Sequence, residues 1–200
     1  CYTPDMLSFA EGKVHANGNS VILREVIGNH HEMGPMENCL LTKFDVILMR
    51  QDPPFDMAYI TATHILEMLP PSTFVVNNPA EVRNAPEKLL VMNYPELMPA
   101  TLISRNSDMI ADFRRQHKDI IIKPLFGNGG TGVFRLSPDD QNLSSLLEML
   151  FAHSKDPIVA QAYIPEVRLG DKRVILVDGK AVGAVNRIPK DGEARSNFHV

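Results

Sequence analysis

Ile120-Ile121-Ile122-Lys123-Pro124-Leu125-Phe126-Gly127-Asn128-Gly129-Gly130-Thr131-Gly132-Val133-Phe134-Arg135-Leu136 is the stretch on which the fold turns. Its segment Gly127–Gly132 spells G-x-G-x-x-G, the letter pattern of a dinucleotide-binding turn. In the Rossmann version a strand precedes that turn and a long helix follows at once, because the helix N-terminus holds the pyrophosphate. Here Val133–Leu136 is β-prone, and Ser137-Pro138-Asp139-Asp140 then turns the chain. No room is left for the helix, and the pattern predicts strand, glycine loop, strand. Such a loop can fold over a triphosphate and offer its backbone N–H groups as an anion nest. Taken alone it is also compatible with an ordinary glycine-rich hairpin. The phosphate-binding G-x-x-x-x-G-K-[ST] is absent, as are the H-R-D and D-F-G motifs of a protein kinase.

The neighbours of the loop favour a nucleotide. Lys123 closes an otherwise apolar strand, a costly place for an ammonium unless it reaches an anion or water. Asn84-Ala85-Pro86-Glu87 reads as a helix start, with an N-cap, an early proline and a glutamate at the capping-box position. Lys88 lies in the first turns of that helix and supplies a second positive charge. Ile158–Ile164 reads as a strand that turns outward at Pro165 and can present backbone groups to an adenine edge. Two lysines, a glycine flap and a hinge strand together make an ATP cradle.

Further out, short apolar runs alternate with helical patterns, which predicts an α/β class. Expected strands are Val21–Arg24, Phe44–Met49, Phe74–Asn77, Thr101–Ser104, Ile120–Lys123, Val133–Leu136, Ile158–Gln161, Val174–Val177 and Val182–Val185. The run Phe44–Met49 is nearly all apolar, as a strand covered on both faces is. Asp56 is placed to cap a helix to about Leu69 with an inward stripe of Met57, Ile60, Thr61, His64, Ile65 and Met68. His64 on that stripe is a candidate site residue, with a half-buried core histidine the favoured reading. Helices are also expected near Asp108–His117 and Gln141–His153; the latter carries Leu143, Leu146, Leu147, Leu150 and Phe151 on one stripe. A boundary near Asn78–Asn84 divides the chain into lobes of about 1–83 and 84–200.

The 200 residues are 44% hydrophobic with a formal net charge of −4, which gives no electrostatic reason to bind nucleic acid. No apolar run reaches the ~18 residues a membrane span needs. Cys1 and Cys39 match no metal or redox spacing and read as free thiols in a reducing cytosol. The opening Cys-Tyr-Thr-Pro-Asp is not a signal peptide, and with no initiator Met residue 1 is not expected to be the natural start.

Lys123-Pro124 with the glycine loop, the Gln161–Pro165 hinge and Asp171-Lys172-Arg173-Val174 resemble the ATP-grasp fold, whose members are mostly carboxylate–amine ligases. Met49-Arg50-Gln51-Asp52-Pro53-Pro54-Phe55-Asp56 is similar to a signature of the bacterial glutathione synthetase family. Asn77-Asn78-Pro79, Glu87-Lys88-Leu89, Arg187-Ile188-Pro189 and Gly192-Glu193-Ala194-Arg195-Ser196-Asn197 continue the match. The resemblance covers nearly the whole chain and is weakest over residues 1–43. It implies a Rossmann-like pre-ATP-grasp domain followed by an ATP-grasp domain, both incomplete at the outer ends.

Residue by residue, the resemblance implies that Lys88 and Lys123 contact ATP phosphates under a cover formed by Gly127, Asn128, Gly129, Gly130, Thr131 and Gly132. Gln161, Ala162, Tyr163 and Ile164 would line the adenine, with Asp171 at the ribose side. Arg173, Arg187 and Arg195 would meet the transferring phosphoryl group or substrate carboxylates, and Arg50, Asp52 and Asn197 the peptide. The implied reaction joins glycine to γ-glutamylcysteine through an acylphosphate, in a cytoplasmic homo-oligomer expected to be a tetramer. Magnesium would accompany ATP, with its ligands expected beyond residue 200, so that the 200 residues by themselves would be inactive. Rival readings are another ATP-grasp ligase acting on D-alanine or on a ribosomal protein, a nucleotide-binding module without activity, and an interaction protein. The Arg50–Asp56 block argues against the first, and the clustered Lys, Gly and Arg positions against the last.

Overall fold

The computed structural model describes residues 1–191. The chain forms two compact units, Cys1–Leu90 and Val91–Val200. The first begins with a three-stranded antiparallel sheet of β1 (Leu7–Ala10), β2 (Lys13–Leu23) and β3 (His31–Leu40) in that order. Glu11 and Gly12 join β1 to β2 with φ of 51° and 74°, the backbone of a two-residue hairpin turn. Only the end of β2 was expected from sequence. Asn17-Gly18-Asn19-Ser20 interrupts its apolar alternation and disguises the strand.

A parallel pair follows, β4 (Val46–Leu48) and β5 (Phe74–Val76), with α1 (Met57–Glu67) as the crossover. This β-α-β unit is the Rossmann-like part of the unit. Asp56 caps α1, its carboxylate accepting the Tyr59 N–H at 2.9 Å. The inward face differs from the expected stripe. Ala62, Thr63 and Leu66 are buried, with Tyr59 and Ile65 packed at the core, whereas Met57 and Met68 are exposed. His64 is exposed as well and lies 3.9 Å from Glu67, so it is not a core histidine. Both stripes have helical spacing, and the small residues Ala62 and Thr63 conceal the one that packs. The strand at 44–49 is also covered on one face only: Ile47 and Met49 are buried, while Phe44, Val46 and Leu48 are exposed.

Asn78–Asn84, where the sequence places the boundary between lobes, is largely helical. In α2 (Pro79–Asn84) the Asn78 side chain accepts from Ala80 N–H at 2.9 Å and Glu81 N–H at 3.3 Å, and Pro79 occupies the first turn. The expected cap, Asn84, is thus a helix end, and the helix carrying Lys88 is a single turn, α3 (Glu87–Leu90).

The second unit is built on a four-stranded antiparallel sheet in the order β6 (Thr101–Ser104), β9 (Ile158–Ala162), β7 (Ile120–Pro124), β8 (Phe134–Leu136). Two helices, α4 (Ser107–His117) and α5 (Leu143–His153), supply Ile110, Leu146 and Leu147 to a core shared with Ile120, Ile122, Leu136, Ile158 and Ala160. The expected stripe of α5 is the one that packs. A separate hairpin, β10 (Asp171–Val177) and β11 (Lys180–Arg187), turns at Asp178-Gly179 with φ of 47° and 73°. Cys1 and Cys39 are free thiols. Among the described residues no helix is long and apolar enough to cross a membrane.

Candidate active site

The glycine stretch connects two antiparallel strands, β7 and β8, paired from Ile120↔Leu136 to Ile122↔Phe134. It is therefore a hairpin loop, as its sequence predicts. Gly129, Gly130 and Gly132 have φ of 62°, 81° and 72°, a region that costs L-residues ~1–2 kcal/mol. Gly132 is doubly constrained, because a Cβ there would stand 2.9 Å from Pro124 Cγ. Turn bonds from Thr131 N–H to Asn128 O (3.1 Å) and from Val133 N–H to Gly130 O (3.4 Å) fold the loop upon itself.

Lys123 stands at the root of this hairpin, half-buried. Its ammonium donates to Gln161 Oε1 at 2.6 Å. Gln161 Nε2 in turn donates to Thr101 Oγ1 at 2.8 Å, and the Thr101 hydroxyl donates to Pro99 O at 2.8 Å. Sequence reading gives Gln161 to the adenine; its side chain is engaged with Lys123 and Thr101. Thr101 escaped notice because its partner is 60 residues away in sequence, and that adjacency arises only from sheet register.

The hinge is pinned from both sides. Ala162 N–H donates to Ala100 O at 2.9 Å and Tyr163 N–H to Asp119 O at 3.0 Å. Neither amide is therefore directed at a base edge, contrary to the simplest form of the expectation. Arg135, on the strand leaving the glycine loop, lies over the Tyr163 ring and forms a two-point pair with Asp119 at 3.1 and 2.7 Å. The hydrogen bond to Asp119, set against some desolvation, raises the Arg135 pKa above its ordinary value. Ile164 is exposed.

Asp171 and Arg187 are directly opposite each other across β10 and β11. The Arg187 guanidinium grips the carboxylate at both oxygens, with Nε to Oδ1 at 3.1 Å. Sequence reading assigned the two to different ligands; the structure pairs them. Arg173 is two residues along β10, on the same face as Asp171. Arg195 and Asn197 lie outside the described residues, and Lys88 belongs to the first unit.

In the first unit, Arg50, Gln51, Asp52 and Pro54 border a cavity of about 910 Å³ whose wall includes Ile47 and Leu66. Burial, and then the negative charge of Asp52, raise the pKa of the Tyr59 phenol. Among the described residues no three His, Cys, Asp or Glu side chains converge as a metal site.

The family model described as prokaryotic glutathione synthetase, N-terminal domain, matches residues 1–83, and the one described as prokaryotic glutathione synthetase, ATP-grasp domain, matches residues 87–200. The glutathione synthetase of Brucella melitensis biotype 1 is 54% identical over 199 residues, covering 100% of this chain and 64% of that protein. That of Agrobacterium fabrum is 53% identical over 198 residues, covering 99% and 62%. The chain thus spans less than two thirds of these curated relatives. Among solved structures, D-alanyl-alanine synthetase A from Vibrio cholerae superposes with a TM-score of 0.54 at 12% identity, covering 93% of this chain and 56% of that one. At that identity the likeness is one of fold.

Proposed function

The chain belongs to the prokaryotic glutathione synthetase family, and we propose on that premise that the protein carrying it joins glycine to γ-glutamylcysteine at the expense of ATP. In this reading residues 1–83 form the peptide-side domain and 84–200 the nucleotide-side domain. The observation that carries it is the placement of Lys123. Its ammonium, 2.6 Å from Gln161, is fixed between the glycine hairpin and the hinge strand, where a polyphosphate would pass. The donor set fits such a ligand: a held cation, a loop with three left-handed glycines, and an aromatic hinge residue.

ATP supplies the phosphoryl group that converts the cysteinyl carboxylate of γ-glutamylcysteine into an acylphosphate, from which the glycine amine displaces phosphate. The protein's share is positioning and charge neutralisation. Lys123 holds phosphate oxygens, and Gly127–Gly132 covers them and excludes water. Ala162, Tyr163 and Ile164 line the base, with Gln161 behind them. Arg173, Arg187 and Arg195 neutralise the transferring group and its acceptor. A guanidinium suits that task, since its planar fork meets carboxylate or phosphate at two points. The Asp171 carboxylate fixes the plane of Arg187 and sits on the ribose side. Arg50 and Asp52 receive the peptide. Magnesium would accompany ATP and offset its phosphate charge. On this proposal the protein is expected in the cytoplasm as a homo-oligomer, a tetramer that light scattering would register.

The test is to supply the complete protein with ATP, magnesium, γ-glutamylcysteine and glycine. Glutathione, ADP and phosphate should form in equal amounts. Turnover with D-alanine or free glutamate as acceptor, and none with glycine, would overturn the reading.

A further inference from the structure

We infer that Thr101 is a positioning residue for the phosphate-side lysine, acting through the amide of Gln161. The inference rests on the proposed nucleotide site and extends it to a strand that no part of that reading uses. Thr101, Gln161 and Lys123 lie on three adjacent strands, β6, β9 and β7. Register places Thr101 opposite Gln161 on one side of β9 and Ile121 opposite it on the other. All three side chains are half-buried, where a polar group left without a partner is costly.

The direction of the relay follows from proton counting. A threonine hydroxyl has one proton, and Thr101 gives it to Pro99 O at 2.8 Å. Toward Gln161 the hydroxyl is therefore an acceptor, so the amide must present Nε2 to it, at 2.8 Å. The carboxamide is planar, and its other end, Oε1, is thereby turned to the Lys123 ammonium at 2.6 Å. The backbone carbonyl of Pro99 thus determines which end of an amide meets a lysine two strands away. The contact with Lys123 is to a neutral amide oxygen, and it orients the ammonium. A lysine stem has four rotatable bonds and ~2 kcal/mol of rotamer entropy. Confining the ammonium before the phosphate arrives lowers the ordering cost at binding. If the hydroxyl is removed, the amide is free to flip, and its NH₂ then opposes the ammonium, donor to donor.

The experiment measures the Kd of the complete protein for a non-hydrolysable ATP analogue by calorimetry, in five forms: wild type, Thr101→Val, Thr101→Ser, Lys123→Ala and the Thr101→Val/Lys123→Ala double variant. Thr101→Val should raise the Kd about threefold to tenfold, Thr101→Ser should restore it, and Thr101→Val should add nothing once Lys123 is gone. A Thr101→Val Kd equal to wild type, or a loss that adds in full to that of Lys123→Ala, would overturn the relay while the nucleotide site stands. If Lys123→Ala itself leaves the Kd unchanged, the nucleotide reading fails and takes the relay with it. Should Thr101→Val not fold, Gln161→Met breaks the same chain at its centre. It must raise the Kd in the wild-type background and not in Lys123→Ala, or the inference is wrong.

Discussion

The Arg135 guanidinium sits over the Tyr163 ring, 3.9 Å from its centroid, and is held there by Asp119, whose backbone carbonyl also accepts the Tyr163 N–H. The first residues past the glycine loop are thereby tied to the hinge. Arg135→Leu should weaken ATP-analogue binding by about 0.5–2 kcal/mol, the range of a cation–π contact. The Kd for γ-glutamylcysteine should not move. Parallel calorimetric titrations check this, and an equal loss for both ligands would contradict it.

Arg50 follows a buried methionine, opens the Pro53-Pro54 turn and borders the cavity of the first unit. Arg50→Ala should raise the KM for γ-glutamylcysteine by an amount equivalent to about 1.5–3 kcal/mol, the cost of a charge-assisted hydrogen bond. The KM for ATP should change little. Steady-state kinetics with each substrate varied in turn decide the matter.

Gly132 combines φ of +72° with a Pro124 ring that a Cβ would strike. Gly132→Ala should cost about 1–2 kcal/mol from the left-handed backbone alone, with further loss from the clash. Gly129→Ala meets the same backbone penalty but no neighbour within 4 Å, so it should be the milder of the two. Urea melts of the two variants, compared with wild type, give the ranking.

Alkaline pH should loosen the first unit. Burial raises the Tyr2 phenol, and burial with the Asp52 charge raises Tyr59. In each case the folded pKa exceeds the unfolded one, so the stability is intact below the usual tyrosine value of about 10 and falls as pH climbs through the folded values. Tyr59→Phe should flatten the decline of Tm between about pH 9 and 11. An unaltered slope in Tyr2→Phe and Tyr59→Phe alike would remove these phenols as its cause.

The site was legible where chemistry is local. Lys123, the glycine loop and the hinge are strung along two short stretches, and the absence of a helix after Gly132 separated this loop from a dinucleotide turn. What could not be read was anything created by register. Nothing in the composition of Thr101–Ser104 marks Thr101, and nothing near Asp171 points to Arg187, which reaches it only because Asp178-Gly179 folds β11 back on β10. The face of α1 was misread for a related reason. Apolar spacing offered two inward stripes, and the choice depends on what β4 and β5 leave to be filled. Most of β2 was hidden because Asn17-Gly18-Asn19-Ser20 breaks off the alternation begun by the buried Val14 and Ala16, and β3 because it is largely exposed and lacks that alternation.

The four-stranded sheet has one further consequence, for the order in which the protein is made. Its second strand in space, β9, is its last in sequence, lying between β6 and β7. While the chain emerges from the ribosome, Thr101 and Lys123 are synthesised long before the residue that links them. β7 can pair early with its sequence neighbour β8, but among the described residues β6 pairs only with β9. The gap between them must stay open until residues 158–162 arrive, and closing it carries the entropic cost of a long loop. A nascent chain halted before residue 158 should therefore contain the glycine hairpin and yet not retain nucleotide. On the proposed reading, nucleotide capture cannot begin before β9 is inserted.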